Sequence, residues 1–207
     1  MDYLHVVDHP LLKQSLTVLR DKNTSTDDFR RHTAVVGQIM ITEATRQLSV
    51  NIKEVETPLK KTTGYEIKRS IIFVPVLRAG ISMLFPARDF LAWAPVGFIG
   101  LERDEKTALA REYYQKFPEG LEDKTVLILD PMLATGGSLS DTIEALKKKG
   151  ARNFSVVTIV AAPEGIARIR TQHPKVHIYT AAVDECLNEH KYIVPGLGDF
   201  GDRYFGT

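Results

Sequence analysis

The chain has a single cysteine, Cys186, which excludes an intrachain disulfide and any metal site built from several thiolates. Cys186 is expected to be a small buried or half-buried hydrophobe. Neither a basic leader nor an apolar core is found in the opening Met1-Asp2-Tyr3-Leu4-His5, so no secretory signal is expected there. Long hydrophobic runs are missing too. The most apolar stretch, residues 90–101, is broken by Pro95, Gly97 and Gly100 and is too short to cross a bilayer. Cytoplasm is the expected compartment, with no membrane partner. An excess of one charge is also lacking: 27 Lys and Arg against 26 Asp and Glu leave a formal +1. That balance argues against nucleic acid as a partner, so an anionic ligand must be met by a local site. The six histidines show no ligand spacing, and no metal site made of protein groups is expected.

What the chain does have is ordinary globular composition, 43% hydrophobic and 26% charged over 207 residues, without repeat or linker. One domain spanning 1–207 is expected. Pro10 opens a helix running to about Arg20. The cluster Asn23-Thr24-Ser25-Thr26-Asp27-Asp28 supplies cap and first-turn acids for a second helix. Phe29, Val36, Met40, Ala44 and Leu48 form its apolar stripe.

Four continuous apolar runs follow: residues 71–77, 126–129, 154–162 and 176–182. Helical patterns lie between them, starting near Ser82, near Ser138 and near Ile166. Short strands without alternation are buried on both faces, and strands alternating with helices imply parallel pairing. The expected fold is therefore α/β, a doubly wound, mostly parallel sheet with ligands at the strand carboxyl ends. Residues 102–124, from Glu102 onward, interrupt this rhythm. They are charged, hold Tyr113, Tyr114 and Phe117, and read as a flap, with a surface hairpin of no special role as the competing reading.

The sharpest feature is Val126-Leu127-Ile128-Leu129-Asp130-Pro131-Met132-Leu133-Ala134-Thr135-Gly136-Gly137-Ser138. Strand, loop and helix follow one another. Gly136 and Gly137 free the backbone so that several N–H groups can converge on one anion, and Thr135 and Ser138 add hydroxyls. The helix N-terminus can receive a phosphate dianion, while Asp130 can accept from sugar hydroxyls. The loop lacks Gly-Lys-Ser/Thr and the Gly-x-Gly-x-x-Gly spacing, so it is neither a Walker loop nor a dinucleotide fingerprint. Val76-Leu77-Arg78-Ala79-Gly80 also closes a strand, and Arg78 offers a permanently charged fork. The last sixteen residues hold Tyr192, Phe200, Tyr204 and Phe205 among four glycines, with no helix or strand period. They read as a folded loop that presents backbone groups to a flat ligand.

These motifs resemble the uracil phosphoribosyltransferases within the type I phosphoribosyltransferase family. Most type I members carry two adjacent acids after the strand; the Asp130-Pro131 form is that of the uracil enzymes. The resemblance covers nearly the whole chain. It implies that residues Asp130, Pro131, Met132, Leu133, Ala134, Thr135, Gly136, Gly137 and Ser138, with Arg78, Arg103 and Asp199, bind 5-phospho-α-D-ribose 1-diphosphate (PRPP). It further implies that Ile193, Gly198, Asp199 and Phe200 bind uracil. The implied reaction gives UMP and diphosphate in pyrimidine salvage, with Mg²⁺ carried on the diphosphate. Asp130, Asp199 and Arg78 are the implied catalytic residues, and Asp202 is a weaker rival to Asp199 for the ring proton. GTP enters as an activator of some members, and a homodimer or larger homo-oligomer is expected, with the N-terminal helices as a candidate contact. Three alternatives stay open at this point. One is transfer to another base, where orotate would need a cation and the tail offers Arg203. The others are an RNA-binding regulator and a sensor that binds PRPP or UMP without turnover.

Overall fold

The computed structural model describes residues 3–103 and 110–207. A short strand, β1 (Leu4–Val6), precedes helix α1 (Pro10–Arg20). Pro10 occupies the first turn, where its missing donor costs nothing, and His9 Nδ1 accepts the Leu11 N–H at 3.2 Å. Helix α2 (Thr26–Ala44) starts on Ser25, whose Oγ accepts the Asp28 N–H, with Asp27 and Asp28 at the positive end of the dipole. Its stripe of Phe29, Val36 and Met40 is fully buried, each side chain contributing about 2 kcal/mol. The helix ends at Ala44, and Leu48 reaches the core from the turn beyond.

Residues 50–67 carry a hairpin that the sequence reading left without an element. Strands β2 (Val50–Glu56) and β3 (Lys61–Ile67) pair antiparallel from Val50↔Ile67 to Glu56↔Lys61. They form a separate two-stranded sheet on which Ile52, Leu59 and Tyr65 stay exposed.

The central sheet adds β4 (Ile71–Leu77), β5 (Phe98–Arg103), β6 (Ala110–Lys116), β7 (Thr125–Leu129), β8 (Met132–Leu133), β9 (Asn153–Ala161) and β10 (His177–Val183). Its order is β1-β10-β9-β7-β4-β5-β6, with β8 beside β9. Every pairing in it is parallel except β5 with β6. Helices α1, α2 and α3 (Ile81–Phe90) cover one face; α4 (Gly137–Lys148) and α5 (Pro163–Gln172) cover the other. Alternate residues serve the two layers. On β4, Ile71 and Phe73 join the first core while Ile72, Val74 and Val76 join the second. On β7, Leu127 and Leu129 oppose Val126 and Ile128 in the same way. A strand sandwiched like this has no polar side to show, which is why these runs are continuous rather than alternating.

Chain order and strand order together create a crevice. From β4 the chain passes through α3 to β5 on one flank, then re-enters at β7 on the other flank of β4. The connections leaving β4 and β7 therefore diverge at their carboxyl ends, the switch point where ligands of such sheets bind.

The predicted flap is a continuation of this sheet. β5 and β6 pair from Phe98↔Lys116 to Arg103↔Ala110, with a register shift at Gly100/Leu101. Residues 104–109 lie outside the described residues. The tail also differs from expectation. After a small hairpin of β11 (Cys186–Leu187) and β12 (Ile193–Val194), it forms a six-residue helix, α6 (Phe200–Phe205). Cys186 is exposed rather than buried, because its two-residue strand stands apart from the central sheet.

Candidate active site

Arg78 and Asp130 follow the last residues of β4 and β7, and the register Pro75↔Leu129 sets those two strand ends side by side. Gly80 lets the turn after β4 press against its neighbour. A Cβ added there would stand 2.2 Å from Leu129 O and 2.6 Å from Val76 N. Arg78 is exposed to the crevice, with its guanidinium 6.0 Å from the Phe205 ring centroid. Asp130 is half-buried, and the Met132 N–H donates to its Oδ1 at 3.2 Å. Desolvation pushes the Asp130 carboxyl up to about 7, opposed only in part by the Met132 amide.

The loop of residues 130–138 is bound into the sheet rather than hanging from it. The Ile159 and Val160 amides donate to Pro131 O at 3.0 and 3.1 Å, and the Ala162 amide donates to Leu133 O at 2.8 Å. Met132 and Leu133 pair with Val160 and Ala161 as β8. Pro131 and Leu133 are buried, so these two predicted contacts shape the loop from beneath. Gly136 has φ 73°, a left-handed conformation that glycine adopts without strain. It caps α4 with no side-chain hydrogen bond, and the first turn of α4 carries no acid, Asp141 lying further along. Among the described residues the Gly137 N–H finds only a long side-chain acceptor, Thr135 Oγ1 at 3.4 Å. Amides at a helix start have no intrahelical acceptor, so this turn presents donors and a positive dipole end together.

Gly165, just before the helix expected near Ile166, is a fitted piece of this loop. A Cβ on it would stand 2.3 Å from Ala134 O and 2.8 Å from Leu133 Cδ1. The start of α5 is thereby packed directly against the loop backbone.

The tail closes the crevice. A cavity of about 360 Å³ has Arg78, Asp130, Met132 and Ala134 on its strand-end wall, and Ile193, Gly198, Asp199 and Phe200 opposite. Asp199 caps α6, its Oδ1 accepting the Asp202 N–H at 3.0 Å. Phe200 turns its ring into the core, edge-on to Phe29 at 5.2 Å, and only 2% of its surface is exposed. Asp202 is not part of the cavity wall; its Oδ1 accepts from Thr207 Oγ1 at 3.2 Å. Thr135, Gly136, Gly137 and Ser138 sit beyond the cavity, at the start of α4. Arg103 is the last residue of β5 and pairs with Ala110; its side chain is outside the described residues.

Five wall residues were not among the expected site residues: Ala79 and Gly201, each next to an expected one, and His190, Lys191 and Tyr192, in the turn between β11 and β12. Asn188 organises that turn, its Oδ1 accepting the His190 and Tyr192 amides at 3.0 and 2.9 Å. An Asn four residues before an aromatic was the available signal, since such side chains commonly close turns on their own backbone. Arg203, the cation considered for a carboxylated base, belongs to the scaffold. Its Nη1 donates to Leu197 O at 2.7 Å and to Leu19 O, and Nη2 donates to Asp21 O at 2.6 Å.

The architecture is that of the type I phosphoribosyltransferases. Adenine phosphoribosyltransferase from Trypanosoma brucei shares the fold, with a TM-score of 0.59 at 13% identity over 92% of this chain and 87% of that one. A nearer relationship is seen across the full length. Residues 6–207 match the model of the family described as "Uracil phosphoribosyltransferase". The uracil phosphoribosyltransferase of Finegoldia magna is 49% identical over 100% of both chains. The structure of the AQ2163 protein from Aquifex aeolicus superposes with a TM-score of 0.92 at 38% identity, covering 99% of this chain and 98% of that one. The chain belongs to the uracil phosphoribosyltransferase family.

Proposed function

We propose that this chain transfers the 5-phosphoribosyl group of PRPP to N1 of uracil, releasing diphosphate and forming UMP for pyrimidine salvage. One observation carries the reading: Arg78 and Asp130, from adjoining strand ends, share a single cavity with the tail residues Ile193, Gly198, Asp199 and Phe200. A cavity of about 360 Å³ suits a small planar base beside a ribose.

Position and the family resemblance together support a division of labour. The uncapped start of α4, with Thr135, Gly136, Gly137 and Ser138, holds the 5′-phosphate. Asp130 accepts from the ribose hydroxyls and faces the positive charge that develops as the anomeric carbon loses its leaving group. Arg78, with Arg103 from β5, receives the departing diphosphate. Backbone groups of residues 193–200 complement the carbonyl and N–H edge of uracil. Asp199, on the cavity wall where Asp202 is not, accepts or orients the N1 proton. The hairpin of β5 and β6 shields the centre from water.

The donor set fits Mg²⁺ carried in by the substrate. The half-buried Asp130 carboxyl faces the cavity and is the acid that could meet the ion there. Bound Mg²⁺ neutralises charge on the leaving diphosphate. Cytoplasm remains the compartment of this reading; among the described residues no helix is long and apolar enough to cross a membrane.

A homo-oligomer is part of the proposal, with a changed contact. The N-terminal helices were the candidate contact, and the apolar stripe of α2, at Phe29, Val36 and Met40, is buried inside the chain. Ile52, Leu59, Tyr65 and Ile67 on the β2–β3 hairpin are exposed instead, and light scattering reads the mass.

The decisive assay mixes protein, Mg²⁺ and PRPP with uracil, orotate, cytosine, hypoxanthine or no base. UMP and diphosphate are expected from uracil alone. Nucleotide from another base and none from uracil would overturn the assignment, and an added GTP arm tests the activation that the family resemblance implies.

A further inference from the structure

We propose that Arg168, on α5, clamps the 5′-phosphate at the start of α4 and so sets the affinity for PRPP. A Cβ built on Gly137 would stand 3.4 Å from Arg168 Nη1 and 3.9 Å from its Cζ; one on Gly136 would stand 3.5 Å from Arg168 Cβ. The guanidinium therefore lies over the first residues of α4, on the side opened by two glycines. It is also held in place. Arg168 Nε donates to Gln172 Oε1 at 3.3 Å, and that oxygen accepts from Ser140 Oγ of α4 at 2.7 Å. Ser140 in turn bonds His173 Nε2 at 2.9 Å in the buried seam between α4 and α5.

Charge supplies the reason for this placement. Among the described residues no carboxylate lies within ion-pair distance of Arg168. The α4 start has neither a capping side chain nor an acid in its first turn. A permanent cation beside the positive end of a helix dipole is unfavourable until an anion sits between them. A phosphate monoester fills that role, receiving helix amides on one side and a guanidinium fork on another. Hydrogen bonds to charged groups are worth enough for a change of about tenfold in affinity when one is removed.

This assignment rests on the proposed reaction and deepens it. Arg168→Ala is expected to raise KM for PRPP about tenfold while kcat and KM for uracil stay within about twofold. Arg168→Lys should recover part of the loss, because charge returns without the fork. Ribose 5-phosphate, followed by calorimetry, should weaken by the same factor, and its dependence on salt should flatten. Thermal unfolding of the alanine variant should match that of the parent protein, since Arg168 is exposed. An unchanged PRPP KM and unchanged ribose 5-phosphate binding, in an otherwise active enzyme, overturn the assignment. Failure of the parent protein to use PRPP at all is a different result, and overturns the reaction itself.

Discussion

Arg20 and Asp184 form a two-pronged ion pair, with Nη1 to Oδ2 at 2.8 Å and Nη2 to Oδ1 at 2.6 Å. The Asp184 side chain is only 4% exposed. Gly196 closes the figure: its amide donates to Asp184 Oδ2 at 2.8 Å, and its carbonyl accepts from Arg20 Nη1 at 2.7 Å. Helix α1, the end of β10 and the turn that leads into residues 197–200 are thereby tied at one point. Arg20→Ala strands a buried carboxylate and should cost about 3 kcal/mol. Uracil KM should rise more than PRPP KM. Urea unfolding read beside steady-state kinetics checks this, and equal stability of the two proteins would show that the ring holds nothing.

Asp130 makes stability depend on pH in a definite sense. Its carboxyl sits at about 7 in the folded protein against an ordinary 3.8, so between those values the folded state keeps a proton that the unfolded chain has lost. A raised carboxylate contributes fully at pH below about 4, and its contribution is lost as pH climbs through about 7. Asp130→Asn should be the more stable protein at pH 8, with the gap closing toward pH 4. Its turnover should fall at least about a hundredfold. In the parent enzyme kcat/KM for PRPP should rise through neutrality as the carboxylate forms. Parallel stability curves for the two proteins across that range would remove Asp130 as the source.

Gly165→Ala tests the fit between α5 and the loop of residues 130–138. Its new methyl would meet Ala134 O at 2.3 Å, and a backbone atom cannot swing aside as a side chain does. Overpacking of this kind costs about 2 kcal/mol, and the displaced loop should bind PRPP more weakly. Calorimetric unfolding and PRPP titration report the two effects separately. Retention of both values would mean that helix and loop slide apart freely.

Arg203→Ala removes three carbonyl contacts and a guanidinium 4.5 Å from the Phe29 ring centroid. A loss of about 2 kcal/mol is expected, with the tail loosened from α1 and α2. Arg203→Lys should not restore it, because one ammonium cannot span those acceptors. Full recovery by lysine would count against the fork geometry.

The legible parts of this molecule were those with a repeated local cause. Strands β4, β7, β9 and β10 fall within about a residue of their apolar runs, since burial on both faces leaves a continuous signal. Ser25, Pro10 and the Asp130 loop were readable because caps, prolines and paired glycines act on their own neighbours. The β2–β3 hairpin was missed because it is paired off the main sheet, so no core imprints its pattern. Helix α6 was missed because six residues with Gly201 inside give no period to detect. Gly165, Arg168 and the turn of residues 188–192 matter through contacts that only the fold creates. The shared cavity wall was legible in the residues as two separate motifs, and only the family resemblance implied that they meet, at Asp199.

The half-ionised state of Asp130 has a consequence for heat measurements. A ribose that demands the anion will expel a proton to the medium whenever it docks near neutral pH, and the buffer must absorb it. Titrations in phosphate and in Tris should then report different apparent enthalpies for one and the same binding event, the offset counting the fraction of protein that had been holding the acid form.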